Sequence, residues 1–382
     1  MPVMKLRIAQ LSPYFSPHHG GVESFVRDIS VEMARAGHEV TVFTSRYDRE
    51  LPASEIFSGV QVVRLPVVAT LFRTPFPRHL KRVAECDFDI YHSHTPPPSF
   101  AYMASSSPFA RTGRNLVTYH CDSDMPSRLA SPFIRTFDRY VTGRIMRRAV
   151  KVIVTTRTYS YTSTNTWRIN PEIVPVSADT ERFFPDPSDR EAMRRKLGVE
   201  QCTVLLFVGR LVRHKGVQYL INALAGTGRE IRLLIAGEGE YRQQIEHLIS
   251  VRGLEGRVTM LGDVPDSLLP SLYRAADVLI VPSTSRLEAF SIAAVEGMAS
   301  GIPVVVSDIP GVREVIEEGI QGVRVRPMDP DDLREKIEEL ASDERRRREM
   351  GKAGIRRASE FSSSNVAAMI LDIYRRVLSD SG

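Results

Sequence analysis

Two cations five residues apart and two carboxylates eight residues apart carry the most legible chemistry in this chain. In FVGRLVRHKGVQYL, Gly209 and Arg210 close an apolar strand-like run, and Lys215 and Gly216 open a helical pattern. Cations beside a helix N-terminus make a seat for a diphosphate, because exposed N–H groups and the helix dipole add to the side-chain charge. Taken alone, such a pair is also ordinary surface chemistry. A second glycine-rich turn, Gly237-Glu238-Gly239 in IAGEGEYRQQI, lacks the later glycine and the distant acid of a dinucleotide fingerprint. In VPSTSRLEAFSIAAVEGMASGIPVVVSD, residues 281–308, Glu288 precedes a helical pattern. Glu296 is expected about two turns inside that helix, facing the same way. Between them AFSI gives a helix start with free N–H groups. Such a start holds a phosphate, and each carboxylate can accept hydrogen bonds from a vicinal diol.

The N-terminal half has a different inventory. In SPYFSPHHGGVESFVRDI, residues 12–29, Gly20 and Gly21 separate a proline-broken loop from a helical pattern. Paired glycines cost backbone entropy, so their presence calls for a use. Glu23 falls in the first helical turn, where an acid complements the dipole whatever else it does. His120 ends a strand pattern in VTYHCDSD and is also readable as a core or capping residue; Asp122 follows it. His92 and His94 in YHSHTP share a strand face, the spacing of a metal pair, but no third or fourth ligand accompanies them, and no metal is expected. The Asp87-Phe88-Asp89 and Asp122-Ser123-Asp124 triplets imitate a metal-binding D-x-D. Their positions, before a strand and in a loop, argue against that role.

These residues need strand ends to hold them. Short β-branched runs alternate with helical patterns throughout, from KLRIAQL, HEVTVFTS and VQVVRL to DVLIVP, PVVVSD and GVRVRP, which reads as parallel α/β structure. Val22, Phe25, Val26, Ile29 and Met33 recur at helical spacing within 22–36. The proline- and acid-rich stretch 175–189 reads as a linker between two doubly wound Rossmann-like domains facing across a cleft. Ligands bind outside the carboxyl ends of the strands in such folds, so the chemistry belongs in loops that follow strands.

Residues 200–320 resemble the nucleotide-sugar half of the retaining glycosyltransferases of family 4, which have the GT-B fold, and the likeness extends over nearly the whole chain. The resemblance implies a donor domain at 178–362 and an acceptor domain at 1–177 completed by residues 363–382, whose helix resembles the one that crosses back in this fold. It implies that Glu296 binds the ribose hydroxyls and Glu288 those of the donor sugar. Arg210 and Lys215 match the basic pair at the diphosphate, with Gly209, Gly237 and Glu238 beside them and the N–H groups of Phe290, Ser291 and Ile292 completing the cradle. Gly20 and Gly21 match the family's glycine loop, whose backbone approaches the donor diphosphate and the acceptor. His120 matches a histidine near the reacting centre; Glu23 and Asp122 are expected on the acceptor side. Two departures stand out: Ala289-Phe290-Ser291 replaces the usual Gly-Phe-Gly, and Val176-Ser177 stands where Asn-Gly is common.

The activity implied is transfer of a hexose-type sugar from a UDP- or GDP-sugar to an acceptor hydroxyl with retention, without metal or cofactor. The implied acceptor is lipid-linked or a glycan, in glycolipid or surface-polysaccharide synthesis. A sugar-nucleotide epimerase, a phosphorylase or a non-catalytic sugar-nucleotide-binding subunit of the same fold stays open at this point.

Composition agrees with a globular protein: 42% hydrophobic and 25% charged residues, with no apolar run of membrane-spanning length. The start MPVMKLRIAQL turns polar too quickly for a secretory signal, and three scattered cysteines, Cys86, Cys121 and Cys202, make no disulfide framework. A cytoplasmic location is expected, with the enzyme peripheral on the inner membrane face. Residues 1–170 carry 22 Lys/Arg against 13 Asp/Glu. This bias reads as solubility charge or as a basic face for anionic lipid or a phosphorylated acceptor. Aromatic–arginine mixtures at 70–82 and 125–150 support the second sense; in the latter, Leu129, Phe133, Phe137, Tyr140 and Val141 are expected on one side of a helix. No nucleic-acid recognition motif is present, so no nucleic-acid partner is expected.

Overall fold

The structure, a computed structural model, describes residues 5–18, 20–71, 74–78, 83, 86–108, 113–122, 131–163 and 165–380. The chain forms two compact units, Met1–Ser177 with Ser363–Gly382, and Ala178–Ser362.

In the first unit the elements run β1 (Arg7–Leu11), α1 (Gly21–Arg35), β2 (Glu39–Arg46), β3 (Ser54–Phe57), β4 (Val60–Leu71), β5 (Thr74–Pro77), β6 (Ile90–Thr95), α2 (Ser99–Ser105), β7 (Asn115–Tyr119), α3 (Ser131–Arg148), β8 (Lys151–Val154), α4 (Arg157–Thr162) and β9 (Glu172–Ile173). The second unit supplies α5 (Pro187–Leu197), β10 (Thr203–Val208), α6 (Val217–Ala225), β11 (Ile231–Ala236), α7 (Arg242–Val251), β12 (Val258–Gly262), α8 (Leu269–Ala275), β13 (Val278–Val281), α9 (Ile292–Ala299), β14 (Val304–Ser307), β15 (Gly322–Val325), α10 (Pro330–Ser342) and α11 (Glu344–Glu360). The chain then returns to the first unit as α12 (Ser363–Asp380).

The first sheet has the order β3-β4-β2-β1-β6-β7-β8-β9, with β5 on β4. All pairs are parallel except β3 and β5 against β4. The strands β3, β5 and β9 are short edge additions without an apolar run of their own, and the sequence pattern does not show them. The central β6 and β7 are buried at every position, as strands covered on both faces must be. Helix α1 buries Phe25, Val26, Ile29, Ser30 and Met33, while Val22 stays half-buried. Helix α12 packs on α1 through a face that includes Val366, Ile370, Tyr374 and Val377. Arg376 on α12 also makes a bidentate bridge to Glu172, at 3.1 and 3.2 Å.

Helix α3 corrects one expectation. Tyr140 is exposed, whereas Val141, Thr142, Ile145 and Met146 are buried. At about 100° per residue Tyr140 lies opposite that face. Leu129 and the side chains of Phe133 and Phe137 lie outside the described residues, as does part of 70–82.

The second sheet is wholly parallel, in the order β12-β11-β10-β13-β14-β15. Counted along the chain this is the 3-2-1-4-5-6 order of a doubly wound fold, which reverses direction between β10 and β13. Ligands of such folds bind outside the carboxyl ends of the strands at that switch point, where the loops after β10 and β13 lie side by side. Two glycines let neighbouring loops pack backbone to backbone there. Gly216 has φ +75°, and a Cβ on it would be driven into the carbonyl of Pro282. Gly237 has φ +141° and is pressed in the same way against the carbonyl of Gly209. Substitution Gly216→Ala combines left-handed strain with displaced backbone, and should cost about 2 kcal/mol or more. Urea denaturation followed by circular dichroism measures it; a loss below about 0.5 kcal/mol would show that the loop yields freely.

Candidate functional site

In the second unit the loop after β10 and the loop after β13 are stitched together. The Thr284 N–H donates to the His214 carbonyl at 2.8 Å, and its hydroxyl donates to the same oxygen at 3.2 Å. Lys215, in a single 3₁₀ turn ending at Gly216, places Nζ 2.5 Å from Glu288 Oε2. Glu288 is buried and also accepts from the Ser283 hydroxyl at 3.4 Å. The two residues assigned separate donor contacts thus form one ion pair. Arg210, one strand end away, is exposed and makes no ion pair or side-chain hydrogen bond among the described residues.

Glu296 lies on the fifth residue of α9, about one turn inside rather than two, because the helix begins only at Ile292. Ser291 is the N-cap, and its hydroxyl accepts from the Ala294 N–H at 3.2 Å. The Val295 N–H bonds the Ser291 carbonyl. Since the first turn of a helix has no intrahelical acceptors, the N–H groups of Ile292 and Ala293 join those of Phe290 and Ser291, none of which has a partner among the described residues. The Phe290 ring is buried, edge-on to Phe361 with centroids 5.6 Å apart. Glu296 Oε2 accepts from the Tyr273 hydroxyl at 2.7 Å. Tyr273 is wholly buried, and burial beside that carboxylate pushes its phenol well above the ordinary range. Sequence reasoning missed Tyr273; its place on the apolar face of α8 was the available signal.

Gly209 and Gly237 lie at the ends of β10 and β11, and the Gly209 N–H donates to Ala236. Glu238 contributes its backbone, accepting from the Leu211 N–H at 2.8 Å. Its exposed carboxylate pairs with Arg242. Among the described residues no hydrogen bond or ion pair joins it to Arg210, Lys215, Glu288 or Glu296.

The first unit holds the other candidates. Gly20 caps α1 and Gly21 is its first residue. Gly20 is extended at φ 171°, so its backbone does not demand glycine; a Cβ there would meet the Glu23 carboxylate, which folds back over it. Glu23 in turn lies 3.2 Å from His18 Nδ1, and His18 stacks on Tyr14. Asp122 is buried, and its Oδ1 accepts from the Tyr119 and Ser163 hydroxyls at 2.9 and 2.6 Å. Its N–H donates to the Tyr159 hydroxyl. Asp122 therefore ties the residues just after β7 to α4 and the residue that follows it.

His120 is buried at the head of that loop, with its Nε2 3.2 Å from His94 Nδ1. His94 Nε2 meets Gln10 Oε1 at 2.9 Å, and His92 lies between the Tyr374 hydroxyl and Thr118 Oγ1, both at 2.7 Å. The ring nitrogens of the supposed metal pair are thus engaged with protein groups. No cluster of three or more metal-ligating side chains occurs among the described residues. Burial lowers His92 and His120 to about 3, and pushes His94 well below its ordinary value.

The first sheet and the doubly wound second unit, each with its loops at the strand ends, define a GT-B glycosyltransferase. Sucrose-phosphate synthase from Thermosynechococcus elongatus shares this fold at a TM-score of 0.79, with 24% identity over 98% of this chain and 100% of that one. The family model described as "Glycosyltransferase Family 4" matches residues 19–182, and that described as "Glycosyl transferases group 1" matches 189–357. The chain belongs to glycosyltransferase family 4. It is 29% identical to the D-inositol 3-phosphate glycosyltransferase of Corynebacterium kroppenstedtii, over 96% of this chain and 89% of that one. It is also 29% identical to the GDP-mannose-dependent alpha-(1-6)-phosphatidylinositol monomannoside mannosyltransferase of Mycolicibacterium smegmatis, over 89% and 90%. Among the described residues no helix is long and apolar enough to cross a membrane.

The buried histidines predict an acid-sensitive first unit. Their folded values lie below the ordinary 6.5, so the unfolded chain takes up protons first as the pH falls. Stability is full above about pH 6.5 and is lost on the way down towards 3, by about 2 kcal/mol per histidine between pH 7 and pH 5. Trp167, the one tryptophan of the chain, lies in this unit, and its fluorescence during denaturation reads the loss. Constant stability from pH 7 to pH 5 would contradict the neutral, buried assignment.

Proposed function

We propose that the protein transfers a hexose-type sugar from a UDP- or GDP-sugar to an acceptor hydroxyl with retention at the anomeric carbon and without a metal or cofactor. The observation that carries this reading is the charge arrangement at the β10/β13 switch point. Arg210 is uncommitted among the described residues, Lys215 is already ordered by Glu288, and two N–H groups of α9 remain for an anion. A diphosphate answers all three.

In this reading Arg210, Lys215 and the N–H groups of Phe290, Ser291, Ile292 and Ala293 hold the diphosphate, with Gly209 and Gly237 keeping the loops low enough for it to approach. Glu296, steadied by Tyr273, accepts from the ribose hydroxyls. Glu288 accepts from the sugar while its contact with Lys215 keeps that side chain aimed. The bond from the anomeric carbon to the β-phosphate oxygen breaks, and the acceptor oxygen bonds to that carbon on the same face. The acceptor's proton passes to the departing phosphate. Stabilising the charge that grows on the leaving group supplies most of the acceleration. His120 supports the positive charge on the sugar, Gly20 and Gly21 bring their backbone to the donor diphosphate and the acceptor, and Glu23 serves the acceptor side. Asp122 serves the acceptor side with it.

The two inositol-phosphate relatives direct the acceptor search to inositol phosphates and phosphatidylinositol glycolipids, ahead of other lipid-linked and glycan acceptors. An enzyme of such a pathway works on the cytoplasmic side, peripheral to the membrane, where the basic bias of residues 1–170 meets anionic lipid.

Thermal shift against UDP, GDP, ADP and their sugar conjugates tests the donor. Selective stabilisation by one nucleotide, abolished in Glu296→Ala, is expected; stabilisation unchanged in that variant would remove Glu296 from the site. Turnover of the matching sugar nucleotide should fall about 100-fold or more in Lys215→Ala and persist in EDTA. Near-normal turnover in Lys215→Ala, or loss of turnover in EDTA, would overturn the cation-driven mechanism. An isomerised nucleotide sugar, or a sugar phosphate formed from inorganic phosphate, would replace the transferase reading.

A further inference from the structure

The polar cluster under His120 contains more groups than the proposed chemistry uses, and it has a direction. Gln10 Nε2 donates to the Met33 thioether at 3.7 Å and to the Tyr374 hydroxyl at 3.2 Å. A thioether sulfur accepts and never donates, so Met33 requires the N–H side of the amide. Gln10 Oε1 is thereby turned to His94 Nε2, which must carry the proton. His94 Nδ1 is then a bare lone pair, and the proton between it and His120 belongs to His120 Nε2. On the other branch, Tyr374 accepts from Gln10 and gives its own proton to His92 Nδ1, and His92 Nε2 donates to Thr118. Every donor between Met33 and Thr118 meets one acceptor. Phe25 sits edge-on to both the His94 and His120 rings, with centroids 5.9 and 5.1 Å away, and limits their rotation.

We propose that Gln10, oriented by Met33 and Tyr374, is a positioning residue that fixes His120 as its Nε2–H tautomer and leaves Nδ1 as the unprotonated ring nitrogen offered to the reacting sugar. The proposal rests on the catalytic role given to His120 above. Burial keeps all three rings neutral, so the tautomers are the states that matter. His120 Nδ1 makes no hydrogen bond among the described residues. As a lone pair it can accept from a sugar hydroxyl and set negative density beside a carbon that becomes positive. With a proton on Nδ1 the same ring would donate, and its dipole would oppose that charge. The hydroxyl of Tyr374 reaches this centre from α12, the last helix of the chain.

Nitrogen-15 NMR of the histidine rings in the full-length protein tests this without any substrate, the His120 signals being identified by their loss in His120→Asn. The expected result is an Nε2–H tautomer for both His94 and His120. An Nδ1–H tautomer at His120 would overturn the proposal whatever the enzyme's activity. Met33→Leu conserves volume and Tyr374→Phe conserves the ring, so both variants should fold. Each should give mixed tautomers at His94 and His120 and lower kcat about tenfold. The KM for the donor and the nucleotide thermal shift, which report the second unit, should not change. Unaltered kcat despite mixed tautomers would also overturn the positioning role. Failure of the thermal-shift experiment, by contrast, would strike the donor reading and leave the ring assignments standing.

Discussion

Where Gly216 lies against the carbonyl of Pro282, two loops of the second unit approach as closely as two backbones can. The Lys215–Glu288 half of the candidate donor site follows from that approach. It brings Thr284 within reach of His214 and Lys215 within 2.5 Å of Glu288. An ammonium and a carboxylate on separate flexible loops would gain little from each other in water. Here Glu288 is buried and Lys215 mostly so, and each removes the cost of leaving the other uncompensated. The pair also explains how a lysine can wait in place for an anion. Its ordering entropy is spent during folding, and an arriving phosphate has only to share it.

The two units use opposite electrostatics. The second collects charges at a strand edge, where Arg210 keeps contact with water and Lys215 and Glu288 neutralise each other. The first collects neutral polar groups in its interior. Burial takes the charge off His92, His94 and His120, and the hydrogen bonds then carry direction instead. A second proton on His92 or His94 would remove the acceptor that its Nδ1 provides and break the chain of donors and acceptors there. The neutral network and the charged edge therefore suit different tasks, one setting geometry and the other absorbing charge.

Much of this was legible in the chain. Strands β1, β10, β13 and β14 are buried on both faces and announce themselves as short apolar runs. Arg210 and Lys215 lie in the loop after β10 and Glu288 in the loop after β13, as the pattern suggests, while Glu296 lies one turn inside α9 rather than two. The start of α9 was harder to read, because Ala289, Phe290 and Ser291 are as compatible with a helix as with the loop they form; only the Ser291 cap settles the boundary. Partnerships across long stretches of sequence were not legible. Nothing local ties Lys215 to Glu288, Tyr273 to Glu296 or Gln10 to Tyr374. The fold-back of Glu23 over Gly20 depends on His18, and Asp122 turns inward because three hydroxyls from β7, α4 and the residue after α4 are already there. Tyr374 lay hidden for another reason: a tyrosine on an apolar helix face reads as packing until its hydroxyl is placed.

The return of α12 to the first unit has a consequence for how the protein is made. Tyr374 lies 364 residues after Gln10, its partner. At about 5–20 residues per second, a ribosome needs roughly 20–70 s to cover that distance. During this time the second unit, an unbroken stretch, acquires all of its own strands and helices. The first unit has long since emerged, yet the apolar face of α1 that α12 covers stays open, and Gln10 has no phenol to donate to. The first unit is thus completed only after the second has been made, and until α12 emerges the growing chain must shelter an unfinished hydrophobic surface.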